Sequence, residues 1–204
     1  MQTGISYDKC LSFINCQIKP TGARARTRAT AFRAVTLSRE SGSGAHEIAA
    51  QLAEKLQKGT GTDQRPWTVF DKELITRVLE DHNLPARMAE FIPEDRMTEL
   101  QDAVEELFGL RPPSWTIIRH TSETMMRLAE LGNVILIGRG GNVVLRERHD
   151  VLHVRLVGSE NVRAERLAQA RNLTLAQART ALRREDRGRA RYLRKYFDED
   201  VANP

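Results

Sequence analysis

The sequence is short of several things at once, and each shortage removes support for a class of function. Aromatic residues make up 5% of the 204, and the two tryptophans, Trp67 and Trp115, do not alternate with basic neighbours. A single-strand nucleic-acid binder sets ring faces along a cationic groove, so both rings read as packing residues and no nucleic-acid partner is expected. Two cysteines, Cys10 and Cys16, lie near the start at a spacing that matches no zinc or redox motif. They read as incidental thiols of a reducing, cytoplasmic setting. No apolar run approaches the roughly 18 residues of a membrane span. The richest runs, VILIG and VLHVRLV, are of strand length, so a soluble protein without a membrane partner is expected.

The net charge of +5 does not belong to the presumptive domain. Residues 1–33 carry six basic side chains against Asp8 alone, which leaves 26 basic and 26 acidic groups in 34–204. Within that neutral part the charge is polarised, because 139–195 holds 15 basic and 6 acidic side chains. Nearly all of these bases are arginine, whose planar fork suits phosphate oxygens. Anion-binding capacity is concentrated late in the chain.

Residues 1–31 lack a sustained hydrophobic period and read as a basic disordered extension. From Ala34 short β-rich runs alternate with longer helical ones, the pattern of βαβ units and a parallel sheet. Strands are expected at 34–38, 67–70, 134–138 and 151–157. Ile48, Leu52, Ala53 and Leu56 mark a helix after the first strand, and Leu74, Ile75, Val78 and Leu79 one after the second. Residues 83–132 read as a helical insert, ending in a helix from Ser122 to Leu131. Gly158 and Ser159 open a further helix, and Thr174 with Gln177 has the spacing of a capping box for the last one. On the fourth strand His153 and Arg155 alternate with apolar residues; His153 reads as structural, and Arg155 as a charge guarding a sheet edge.

One more absence sits at the first strand's exit. The stretch SRESGSGAHE, 38–47, has the small residues of a phosphate-binding loop, yet of the motif G-x-x-x-x-G-K-S/T only Gly44 is present. Arg39 stands for the first glycine, Ala45 for the lysine and His46 for the hydroxyl. A strand, a turn and a helix still converge backbone N–H groups on one point, reinforced by the helix dipole. A tight structural turn and a phosphate site are both open for these ten residues alone, with Arg39 a candidate for the missing positive charge.

Four motifs in register resemble the cytidylate kinase-like family, a branch of the P-loop nucleoside monophosphate kinases, over roughly 34–197. They are VTLSRESGSGAHEIAAQLAEKL, VFDKELI, VILIGRGGNVVLRE and REDRGRARYLRKYF. The resemblance implies an α/β fold: a P-loop NTPase-type parallel sheet flanked by helices, spanning 32–204. It would carry a helical substrate-binding insert and an arginine-rich helical lid over about 172–195, without the last strand. It implies transfer of the ATP γ-phosphoryl group, with Mg²⁺, to a nucleoside monophosphate, CMP or dCMP. The donor phosphates would lie on Ser41, Gly42, Ser43, Gly44, Ala45 and His46. Asp71, Arg77 and Arg139 would bind the acceptor, and Arg187, Arg189 and Arg191 would close with the lid, joined by Arg39 at the loop.

The pattern departs from the true cytidylate kinases at "IGRG", where Ile137 and Gly140 replace two carboxylates, one of which helps recognise cytosine. No metal ligands can be named from the sequence. Two other readings stay open: a kinase of another small substrate, and a degenerate nucleotide-binding sensor without turnover.

Overall fold

Strand β1 (Ala34–Arg39) pairs in parallel with β3 (Val134–Ile137) on one side and with β4 (Val151–Leu156) on the other, while β3 also pairs with β2 (Thr68–Phe70). The computed structural model describes residues 32–59, 66–71 and 113–201. The expected basic extension, with Cys10 and Cys16, lies outside them. So do Arg77 and most of the helical insert.

Among the described residues the sheet has four strands in the order β2-β3-β1-β4. The connection out of β1 runs one way past β3, and the connection out of β3 runs back past β1. The carboxyl ends of β1 and β3 therefore flank the crevice where ligands bind in sheets of this kind.

Both faces of the central strands are covered, which is why β3 reads as an unbroken apolar run, while the edge strand β4 alternates. On one face Ala34, Phe70, Val134, Leu136 and Val151 pack with Met125, Leu128 and Ala129 of helix α2 (Pro113–Leu131). On the other, Val35, Leu37, Ile135 and Ile137 pack with Ala45 and Ala49 of helix α1 (Ala45–Gly59), with Leu52, Ala53 and Leu56 beside them. The helix expected from Ser122 begins earlier, at Pro113. Proline lacks only an N–H that the first turn leaves unbonded anyway, so the residue that breaks the preceding segment can also open this helix.

After β3 a single turn, α3 (Gly141–Val144), leads to β4. Helix α4 (Glu160–Arg171) is capped by the Ser159 hydroxyl, and α5 (Leu175–Phe197) by the reciprocal Thr174–Gln177 box. Asn172 turns the chain between them in a left-handed conformation. Ala164, Leu167, Ala178 and Leu182 pack the two helices together. The far end of α5 packs Tyr192 and Tyr196 on Ile118 of α2, so this one helix runs over the carboxyl ends of the sheet strands.

Leu182 is 1% exposed at the α4–α5 contact. Truncation to alanine should cost about 2–5 kcal/mol in urea unfolding, because the cavity left behind cannot fully collapse.

Candidate functional site

The turn that follows β1 is held from outside by arginines. Gly42 and Gly44 both have positive φ, at 71° and 80°. A Cβ on Gly42 would stand 2.5 Å from the Arg163 carbonyl oxygen, so the turn lies directly on α4. Arg163 donates to the Ser41 carbonyl at 2.9 Å, to the Gly158 carbonyl at 3.0 Å and to Asp186 at 2.8 Å. Arg166 donates to the Gly42 carbonyl at 3.1 Å. With its carbonyls tied back, the turn presents an amide inward: Ser41 N–H donates to the Asp186 carboxylate at 2.7 Å. The Ser41 hydroxyl donates to Glu185 at 2.7 Å and receives a hydrogen bond from Arg189.

Those contacts bear directly on whether the turn suits a phosphate. An anionic oxygen already sits on the Ser41 amide, supplied by Asp186 of α5, so the amide is placed for one. Ser43 Oγ is buried in the same turn with no hydrogen-bond partner among the described residues. The first N–H groups of α1 have no carbonyl of their own helix to bond. As it stands, the cradle is taken up by the α5 carboxylates Asp186 and Glu185.

Position 45, where the standard motif has lysine, is 6% exposed and faces the core between α1 and the sheet. His46, one residue on, is directed outward and meets Asp71, which follows β2, in a very short hydrogen bond. Arg39 approaches the same carboxylate at 3.8 Å. Burial pushes the Asp71 carboxyl up, but the hydrogen bond from His46 and the charges of Arg39, His46 and Arg139 together hold it below its ordinary value. The hydrogen bond to Asp71 raises the His46 imidazole above its usual range against the opposing effects of burial and Arg39.

After β3 the backbone runs through three consecutive left-handed residues, Gly138, Arg139 and Gly140, with φ of 74°, 55° and 72°. For arginine this conformation costs roughly 1–2 kcal/mol, a strain of the kind that accumulates at ligand sites. The flanking glycines have steric reasons. The Arg39 guanidinium lies across Gly138, and the Phe197 ring would be 2.7 Å from a Cβ on Gly140. A side chain at Gly140 would have to displace that ring.

Next to the turn a cavity of about 280 Å³ opens at the carboxyl ends of β1 and β3. Five arginines line it, Arg39, Arg139, Arg146, Arg155 and Arg189, against two acids, Glu199 and Asp200. Arg146 is paired with Glu199. On the β4 side, His153 shares a 2.7 Å hydrogen bond with Thr36, and burial holds its imidazole below the usual range.

Of the residues singled out from the sequence, Arg39, Arg139 and Arg189 are brought together around this cavity, and Arg189 also reaches Ser41. Asp71 and His46 form a pair beside Arg39. Arg187 and Arg191 are exposed on α5 and do not line the cavity; Arg187 donates to the Arg183 carbonyl at 3.1 Å. Arg77 lies outside the described residues. Sequence reasoning passes over Arg163, Asp186 and Arg146. The one signal for Asp186 is that Glu185 and Asp186 interrupt an otherwise basic helix. Among the described residues no group of three or more His, Cys, Asp or Glu is placed to hold a metal, and no helix is long and apolar enough to cross a membrane.

A family model described as the cytidylate kinase-like family matches residues 34–204. An uncharacterized protein from Eubacterium ventriosum has a solved structure similar to this one, with a TM-score of 0.58 at 16% identity over 83% of this chain and 81% of that one. That likeness is one of fold. No curated protein matches the chain in sequence.

Two outcomes are expected from the geometry. Asp186→Asn should lower the stability of the free protein by about 1–3 kcal/mol, since Arg163 and Arg189 lose part of their counter-charge. Added pyrophosphate should raise the melting temperature of the variant more than that of the native chain, because the Ser41 amide is then less strongly claimed. The His46–Asp71 pair sets a pH window. A raised imidazole stabilises fully below its ordinary 6.5 and loses this as pH rises through the folded value. A depressed carboxyl stabilises fully above its ordinary 3.8 and loses this as pH falls through the folded value. The stability difference between the native chain and His46→Gln, followed by thermal unfolding, should therefore be greatest between those values and shrink in alkaline buffer.

Proposed function

The chain belongs to the cytidylate kinase-like family, and on that premise we propose that it moves the γ-phosphoryl group of ATP to the phosphate of a nucleoside monophosphate, CMP or dCMP. The observation that carries this reading is the sharing of two arginines. Arg189 touches the glycine turn and lines the cavity, and Arg39 lines the cavity beside the His46–Asp71 pair.

In the proposed reaction an acceptor phosphate oxygen attacks the γ-phosphorus in line, the bond to the bridging oxygen breaks, and its electron pair leaves with ADP. An acceptor phosphate is already anionic at pH 7, so no nucleophilic side chain or strong base is required. Positioning and neutralisation dominate. The backbone of 41–46 would hold the donor phosphates, with His46 facing them from the first turn of α1. Arg139 would hold the acceptor together with Asp71 and Arg77, and Arg39 and Arg189 would lie between the two ligands. Arg187 and Arg191 would join when α5 closes over the bound pair and excludes water. Mg²⁺ would neutralise charge on the transferring phosphate while held largely by donor oxygens and water.

A different phosphorylated acceptor is favoured by one observation. The Phe197 ring fills the space into which a cytosine-reading carboxylate at position 140 would project.

A coupled assay with ATP, Mg²⁺ and a panel of monophosphates tests the reading. CMP turnover is expected, with kcat/KM reduced about 10²- to 10³-fold in Arg139→Ala and in Arg39→Ala, as for loss of a charged contact made in the transition state. Turnover unaffected by both changes would remove the site assignment. ATP binding without turnover of any monophosphate would make the protein a nucleotide sensor.

A further inference from the structure

Arg155 lies on β4, an edge strand of the sheet among the described residues, and its side chain also enters the cavity wall. It stands opposite Ser38, on the face that also carries Thr36 and His153, and is partly buried there. Three other arginines of that wall have acidic partners: Arg39 has Asp71, Arg189 has Asp186, and Arg146 has Glu199. Among the described residues Arg155 makes no ion pair and no side-chain hydrogen bond. A guanidinium cannot shed its proton, so a partly buried one without a counter-charge is held at a desolvation cost that an anionic ligand would offset.

We propose that Arg155 is a ligand-binding residue of the cavity, and that what it binds is a phosphomonoester dianion. The proposal rests on the acceptor reading above only for the name of the role. Its physical basis is the charge and size of the cavity. At about 280 Å³ the space is at the small end of ligand pockets, on the scale of a phosphate with one ring attached rather than an extended triphosphate. The five arginines face two carboxylates in the lining, or four with the Asp71 and Asp186 that pair with Arg39 and Arg189, and the positive surplus left at Arg155 suits an anion. β4 thus contributes to the acceptor side from the edge opposite Asp71, so the ligand would be gripped across β1 from both flanks.

The shared chemistry has two sources, a nucleoside 5′-monophosphate and free inorganic phosphate, and calorimetric titration of the full chain without any donor separates them. The probes are CMP, ribose 5-phosphate, inorganic phosphate and ATP. The proteins are the native chain, Arg155→Gln, Arg155→Lys and, as a surface control, Lys58→Gln. CMP affinity should fall about tenfold or more in Arg155→Gln, the scale of a charge-assisted contact. It should recover in part in Arg155→Lys, stay unchanged in Lys58→Gln, and leave ATP affinity unaltered throughout. Phenylglyoxal modification of the native chain, mapped by peptide mass, should show Arg155 protected by CMP, which keeps the test open if the glutamine variant does not fold. Undiminished CMP binding by a folded Arg155→Gln, equal loss of ATP binding, or no protection of Arg155 overturns the proposal. So does a native chain that binds no phosphomonoester. Arg155-dependent binding of ribose 5-phosphate or inorganic phosphate with none of CMP upholds it, while removing CMP as the acceptor.

Discussion

One buried guanidinium holds the functional end of the protein together. Arg163 is 8% exposed and engages the Ser41 carbonyl, the Gly158 carbonyl and Asp186, with Glu40 at 3.4 Å. It thereby joins the turn after β1, the exit of β4 and the middle of α5. A charge so placed is stable only with its partners present, and removing one would leave the others facing an uncompensated cation. The same bond to the Ser41 carbonyl turns the opposite side of that peptide towards Asp186. The orientation of the anion-accepting amide is thus set by an arginine that need not touch a ligand itself.

The architecture is largely legible in the sequence because it depends on local patterns. VILIG is an unbroken apolar run, as a strand covered on both faces must be, and Thr174 with Gln177 forms the cap that its spacing announces. The site is legible only in part, because its distinguishing features are contacts between distant residues. Arg39, Arg139 and Arg189 are 100 and 50 positions apart along the chain, and only the sheet order brings them to one cavity. Arg155 alternates with apolar neighbours and looks from sequence like an edge charge; that it turns into a cavity follows from the placement of α3 and α5 over the same face.

The absent lysine has a packing explanation. In this protein the first helical residue after the glycines faces inward, where Ala45 lets α1 approach Val35, Leu37 and Ile137. Small residues at 45 and 49 are the condition for that approach. The cation is displaced to the next position, where His46 is fixed by Asp71. The turn has not simply lost a functional group. Ala45 packs into the core, while His46 and Arg39 meet at Asp71 on the outer side.

Helix α5 has 23 residues, about 35 Å at the usual rise. It touches the glycine turn through Asp186, the cavity through Arg189 and Tyr192, and Gly140 through Phe197. Between these points it rests on α2 through Tyr192 and Tyr196. It has the form of a lever with an aromatic fulcrum. Arg189 reaches both the Ser41 hydroxyl and the cavity, so the glycine turn, the cavity and the Gly140 turn are tied to one rigid element.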